Sequence, residues 1–270
     1  CVTTVGPVHI EGFSDGETGV AREKSAIFEG LGPGGVAVIN GDNPWEPMLH
    51  QAALRAGARI ATFGSEPGHD GARVSAEVRG RTHHFNLRQS GFHWGLNCLA
   101  VILMLEALDV PVETALAALS DFEPLAGRGQ IRSVNVAGGA FTLIDESYNA
   151  NPLSMRAGFL SLGARAVAPG GRRVIVLSDM LELGDQSRAL HEGLAEVIEA
   201  AAIDVVHAAG PQMRHLYDTV APERRGLWFA TAAELAEHAD DLVNPRDVVM
   251  VKGSNGSKAS LVAAALADLE

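Results

Sequence analysis

From about residue 126 onward, short β-rich runs alternate with amphipathic stretches, the pattern of a parallel sheet covered by helices. The apolar runs predict strands at 141–144, 173–177, 205–208, 227–230 and 248–251. Between them, Leu190, Leu194, Val197, Ile198 and Ala201 fall on one face of a helix, as do Leu261, Val262, Ala265, Leu266 and Leu269. Thr231 with Glu234 three residues on is a capping box that starts another helix directly after a strand. The first half is less regular. It predicts strands at 2–5 and 36–39, a Gly-rich turn at 32–35, and helices at 19–29, 95–108 and 112–120. Pro124, Gly127 and Gly129 mark 123–129 as a hinge, so the expectation is α/β throughout with domains at 1–125 and 126–270.

Composition narrows the partners. The formal charge of -12 argues against tracking a nucleic-acid backbone, which needs Lys and Arg against phosphates, and favours small or peptide-like ligands. Cys1 and Cys98 make neither a disulfide framework nor a zinc site, which fits a reducing, cytoplasmic setting. The longest apolar run, 98–105, stops at Glu106, far short of the ~20 residues that cross a bilayer. The chain opens on Cys1 rather than Met, and the natural chain is expected to begin upstream.

Three polar loops follow predicted strands. Asp145-Glu146-Ser147-Tyr148-Asn149-Ala150-Asn151-Pro152 leads into a helix with Ser154 as its expected cap. Asp179-Met180-Leu181-Glu182-Leu183-Gly184 follows the next strand, and Lys252-Gly253-Ser254 the last. In open α/β sheets ligands collect at the carboxyl ends of strands, so these loops predict a polar-substrate pocket; the plain alternative for the first is an Asn/Pro turn. Gly253 to Lys258 evokes a phosphate loop, yet the Gly-Lys-Ser/Thr order of a Walker A motif occurs nowhere in the chain. Taken singly, His9 and Lys24 read as structural and solvated residues.

Together the motifs are more specific. Thr4-x-Gly6-Pro7-x-His9-x-Glu11-Gly12-Phe13, Ala21-x-x-Lys24-x-x-Ile27-Phe28, Asn40-x-Asp42-Asn43, Gly91-x-His93-x-x-x-Asn97 and Gly127-Arg128-Gly129 occur in that order. They are followed by the 145–155 segment, Asp179-Met180-x-Glu182-Leu183-Gly184 with His191, and Val251-Lys252-Gly253-Ser254. This order resembles the Mur ligases, within them the branch that adds D-alanyl-D-alanine to UDP-N-acetylmuramoyl-tripeptide. Ser178 and Trp94 stand where many members have Gly and Asn.

The resemblance implies part of a central ATPase domain followed by a Rossmann-like carboxyl-terminal domain, acting as a cytoplasmic monomer. It also implies an ATP- and Mg²⁺-dependent peptide ligase of cell-wall precursor synthesis. His9 and a carbamylated Lys24 correspond to magnesium ligands, because an ammonium repels a cation whereas a carbamate oxygen suits hard Mg²⁺. Asn97 corresponds to the amide that meets adenine, with Asn40, Asp42 and Asn43 alongside. Arg128 corresponds to the arginine of the terminal phosphates and Glu146 to a nucleotide-contacting carboxylate. Tyr148, Asn149, Asn151, Lys252 and Ser254 correspond to the region that meets the dipeptide. The family's UDP-sugar domain and phosphate loop have no counterpart, so the chain alone is expected to be inactive. The rival expectations are a related ligase of the folylpolyglutamate type and a non-catalytic binding remnant.

Overall fold

The computed structural model describes residues 1–64, 73–78, 81–86 and 92–269. Gly91 and the side chain of His93 lie outside the described residues. The chain divides into two compact units, Cys1–Glu123 and Pro124–Glu270.

In the first unit, β1 (Val36–Asn40) and β2 (Arg59–Phe63) pair in parallel, from Val36 opposite Arg59 to Asn40 opposite Phe63. Helix α1 spans Glu17–Ser25 and α2 spans Glu46–Arg55, while β3 (Arg73–Val78) and β4 (Arg81–Asn86) form an antiparallel pair. Helices α3 (Phe92–Ala107) and α4 (Val112–Asp121) follow. Helix α3 is apolar almost all round because it is covered on two sides: Ala100 packs with Val38 and Phe63, and Cys98 and Ile102 pack with Ala115 of α4.

Two expectations change here. The helix expected at 19–29 is α up to Ser25 and continues as a 3-10 turn at Ala26–Gly30. The strand expected at 2–5 shrinks to a single parallel bridge of Val2 with Ile39, because the next three carbonyls bond to side chains instead of a neighbouring strand.

The second unit is a six-stranded sheet in the order β5-β6-β10-β7-β8-β9. Its elements are β5 (Gln130–Val136), β6 (Gly139–Glu146), α5 (Pro152–Gly163), β7 (Arg173–Ser178), α6 (Ser187–Glu192), α7 (Ala195–Ala200) and β8 (Val205–Ala209). Next come α8 (Met213–Thr219), β9 (Arg225–Phe229), α9 (Ala232–Ala236), α10 (Ala239–Leu242), β10 (Val248–Lys252) and α11 (Ala259–Ala267). All neighbours are parallel except β5 with β6.

The period of two along a strand sends alternate residues to opposite faces. Ile175 and Leu177 join a core with Met155, Phe159 and Leu162 of α5, Ile198 of α7 and Leu216 of α8. Val174 and Val176 join a second core with Leu235 of α9, Leu242 of α10, and Val262 and Leu266 of α11. Each such fully buried aliphatic side chain contributes roughly 1.5–3 kcal/mol relative to an exposed one.

Local chemistry corrects three further expectations. One helix was expected over 190–201, but Gly193 gives its carbonyl to the Arg156 guanidinium (3.0 Å) and α6 and α7 are separate. Asn151, not Ser154, is the N-cap of α5: its side chain accepts from Ser154 N (2.9 Å) and Ser154 Oγ accepts from Asn151 N (3.0 Å), a reciprocal capping box. Leu261, expected on the buried face of α11, is 46% exposed. The Thr231–Glu234 capping box forms as read.

Candidate active site

The sheet of the second unit has a switch point. Strand β10 leads into α11 on one face, whereas its neighbours β6 and β7 lead into α5 and α6 on the other. Loops leaving adjacent strands toward opposite faces open a crevice at the carboxyl edge, and the three polar loops named from the sequence meet there.

Side chains stitch these loops together. Lys252, the last residue of β10, lies in register with Glu146, the last of β6. Its ammonium donates to Glu146 Oε2 (3.0 Å) and to the Asn149 carbonyl (3.1 Å). Ser254 Oγ donates to the Ala150 carbonyl (3.2 Å) and accepts from Leu181 N (3.0 Å), tying the β10 loop to both others. Ser178 forms a 2.7 Å hydroxyl pair with Ser257.

The middle loop is held from below. His191 is fully buried, and burial pushes its pKa down. Its Nδ1 lies 2.7 Å from the Ser187 carbonyl and donates to it, which leaves Nε2 to accept from Met180 N (3.1 Å). The buried Asp179 carboxylate accepts from Met213 N (2.6 Å); burial raises its pKa while the backbone bonds from Met213 and Gln212 oppose the rise. Both residues shape the loop rather than face a ligand.

Strand β5, which periodicity missed, places Arg128. Because β5 runs antiparallel to β6, its start lies beside the end of β6, with Gln130 opposite Asp145. The Asp145 carboxylate accepts from Gly127 N (3.1 Å), Ser147 N (3.1 Å) and Ser147 Oγ (2.6 Å). Gly127 adopts φ 73° with Tyr148 Cβ 3.0 Å from where a side chain would begin, so a larger residue is strained and crowded there. The exposed Arg128 guanidinium lies over the Tyr148 ring, 4.0 Å from its centroid. The division between units falls at Glu123/Pro124, within the 123–129 stretch expected as a hinge, and Gly127 and Gly129 bond to Asp145 at the end of β6. Asn149 is exposed with its Oδ1 accepting from Ala150 N (2.9 Å), and Asn151 is engaged as the cap.

The first unit has its own polar edge, where β1 ends. The Thr3, Thr4 and Val5 carbonyls accept from Asn40 Nδ2 (2.9 Å), Lys24 Nζ (2.9 Å) and Asn43 Nδ2 (3.2 Å). The other ends of the two amides accept from Asp42 N and Trp45 N. Asn40 and Asn43 are therefore buried scaffolding for the segment that leads to His9. His9 is exposed and sits in the left-handed region at φ 57°. Partial burial lowers the Lys24 pKa. Asp42 and Asn97 are exposed, the latter on α3. Among the described residues, no group of three or more His, Cys, Asp or Glu side chains gathers to hold a cation. Nor, among them, is any helix long and apolar enough to cross a membrane.

An α/β sheet with its polar loops at a switch point has a Rossmann-type architecture, in which ligands collect at the carboxyl edge, and comparison with known proteins makes the class specific. Residues 1–105 match the Mur ligase middle domain, and residues 127–255 match the Mur ligase glutamate ligase domain. The chain belongs to the Mur ligase family. It is 29% identical over 279 residues to the UDP-N-acetylmuramoyl-tripeptide--D-alanyl-D-alanine ligase of Escherichia coli, covering 98% of this chain and 59% of that protein. Its likeness to the ligase of the same name from Rickettsia prowazekii is 25% over 269 residues, covering 95% and 58%. Among solved structures, MurF from Acinetobacter baumannii superposes with a TM-score of 0.80 at 25% identity, covering 98% of this chain and 58% of that one. MurF from Thermotoga maritima in complex with ADP shares the fold with a TM-score of 0.77 at 20% identity, covering 97% and 61%. The chain thus spans a little under three fifths of the length of the curated relatives named.

Proposed function

We propose that this chain is part of an ATP-dependent ligase that joins D-alanyl-D-alanine to UDP-N-acetylmuramoyl-tripeptide in cytoplasmic cell-wall precursor synthesis. The observation that carries the reading is the carboxyl edge of the second unit, where Arg128, Glu146, Tyr148, Asn149 and Ser254 are assembled by loops that only the tertiary fold brings together. The ligase names of the relatives support the same reaction.

The reaction has two steps. The tripeptide's terminal carboxylate attacks the γ-phosphorus of ATP, ADP leaves, and an acyl phosphate forms. The amine of D-alanyl-D-alanine then attacks the acyl carbon, phosphate leaves with the bonding pair, and the amine loses its proton as the amide forms. Arg128 spreads positive charge over the phosphoryl oxygens, and stacking on Tyr148 limits the freedom it loses in doing so. Glu146 meets the nucleotide, while Tyr148 and Asn149 receive the dipeptide, on loops that Asn151, as the cap of α5, and Ser254, through the Ala150 carbonyl, hold from beneath. In the first unit, Asn97 meets adenine beside the Asn40, Asp42 and Asn43 loop.

His9 and a carbamylated Lys24 are the proposed holders of Mg²⁺, which when bound neutralises charge on the phosphates. The surroundings of Lys24 support that role. The lowered Lys24 pKa favours the free amine that takes up CO2, and the carbamate retains an N–H for the Thr4 carbonyl while its new oxygens supply the negative charge.

The test joins this chain to the amino-terminal part of the Escherichia coli ligase that lies outside the matched region. D-alanyl-D-alanine-dependent ADP release with the UDP-tripeptide is expected. An acceptor screen that instead favoured glutamate or another amino acid would replace the reading with a related ligase. Complete inactivity of a folded fusion would favour a binding module. In the same fusion, Lys24→Ala is expected to lose activity and to regain part of it with added short carboxylic acids; full activity without them would refute the carbamate.

A further inference from the structure

Lys252 reads from sequence as a dipeptide contact, but its geometry assigns it different work. Its side chain is 3% exposed, and its ammonium is engaged by Glu146 Oε2 and the Asn149 carbonyl. The stem is enclosed by α5, where a side chain at Gly158 would begin 3.5 Å from Lys252 Cδ. An ammonium so buried is held in place by its charge partner, and turning it toward a ligand would strand the Glu146 carboxylate.

We infer that Lys252 is a positioning residue that holds Glu146 and the Asn149 loop in one fixed relation, so that dipeptide affinity depends on Lys252 without contact between them. This rests on the ligase reading given above. Lys252 ends β10 and Glu146 ends β6, so their register places the ammonium beside the carboxylate. The second bond, to the Asn149 carbonyl, crosses to the turn that presents the exposed Asn149 side chain. Ser254, two residues on, bonds the next carbonyl, that of Ala150. Two successive carbonyls of the 149–150 turn are thus held from β10 and its loop, which fixes the backbone from which Asn149 projects. Loss of one anchor lets the turn relax, and a binding site held about 1 Å out of its productive geometry is too loose for its ligand.

The experiment uses the full 270-residue chain and D-alanyl-D-alanine as the probe. Two-dimensional amide NMR follows the Asn149, Asn151 and Ser254 signals during titration, beside a thermal melt. Saturable shifts are expected in the wild type, and Lys252→Met, which keeps the stem's shape but removes the charge-assisted bond to the Asn149 carbonyl, is expected to weaken the dipeptide by about ten- to a hundredfold. Glu146 is 16% exposed, so the unpaired carboxylate can regain some hydration; should Lys252→Met fail to fold, the pair Lys252→Met with Glu146→Gln removes the stranded charge. A purely structural role predicts a lowered melting temperature with unchanged dipeptide affinity, and that result overturns the inference alone. An absence of shifts in the wild type removes the dipeptide assignment itself, and the inference with it.

Discussion

Asp247 offers the clearest separation of stability from function. It lies just before β10, at the amino edge of the sheet and away from the polar loops, and its side chain is fully buried. Oδ1 accepts from Arg172 N (2.9 Å) and Nε (3.2 Å), and Oδ2 accepts from Arg172 Nη2 (2.6 Å) and Asn244 N (2.8 Å). Every direction around the carboxylate is occupied by a donor. Asp247→Asn keeps the shape but points an NH2 group at donors on one side or the other, leaving buried N–H groups unpaired. Breaking a buried ion pair costs about 3–5 kcal/mol, and the low end applies because Arg172, 33% exposed, can rehydrate. For a domain of this size, 3 kcal/mol corresponds to a fall of roughly 6–12 °C in the melting temperature. Calorimetry should show that fall in the transition of the second unit, while dipeptide-induced NMR shifts persist. A change below about 1 kcal/mol would refute the claim that the Asp247 brace is a principal support of the sheet.

Other consequences are as direct. His207 accepts from Leu227 N through Nδ1 (2.9 Å), and burial, with Arg172 nearby, pushes its pKa down to about 4. The unfolded chain therefore binds the extra proton first: stability is level above about pH 6.5 and falls toward pH 4, by about 3 kcal/mol at most. Denaturant midpoints across that range should fall more steeply in the wild type than in His207→Asn, and equal slopes would contradict the assignment. Gly253→Ala places a methyl group onto the Ser178 hydroxyl and near Ala259, so it should displace the loop after β10 and weaken dipeptide binding more than it lowers the melting point. Equal dipeptide titrations for Gly253→Ala and wild type would show that this loop tolerates displacement. The purified 270-residue chain should show no ATP hydrolysis dependent on D-alanyl-D-alanine, because it holds no Walker A loop to cradle the β- and γ-phosphates; turnover in a coupled ADP assay would show another phosphate cradle at work.

What the sequence made legible follows from which interactions are periodic. Strands β7 and β10 are buried on both faces and read as continuous apolar runs, 174–177 and 248–251, whereas β8 reads as a short apolar run interrupted by His207. Strand β5 escaped because it is an edge strand with Gln130, Arg132, Ser133 and Asn135 among its residues, and only Val134 is buried. Its signal was the two-residue Ala137-Gly138 turn joining Val136 to Gly139, with both glycines at positive φ. The break between α6 and α7 was invisible because it depends on Arg156, from another helix, bonding the Gly193 carbonyl. At the site, the loops were legible as loops, but the use of each polar group was not. Asn40 and Asn43 resemble ligand contacts in sequence, yet their amides are spent on Thr3 to Val5.

The two edges of the second unit's sheet are built on different principles. At the amino edge, Asp247 gathers donors from Arg172 and Asn244 into one saturated carboxylate. At the carboxyl edge, polar groups are saturated only beneath the surface: Asp179, His191, Ser254 and Lys252 are buried and bonded, while Arg128, Tyr148 and Asn149 above them are exposed. Preorganisation takes this form, because side chains that must meet a ligand lose little freedom when the layer below already holds them. The same division explains why polar residues that look equivalent in sequence should respond differently to mutation. Losses at Asp247 should register mainly in melting, and losses at Lys252 mainly in binding, although both residues are buried and both are paired with an opposite charge.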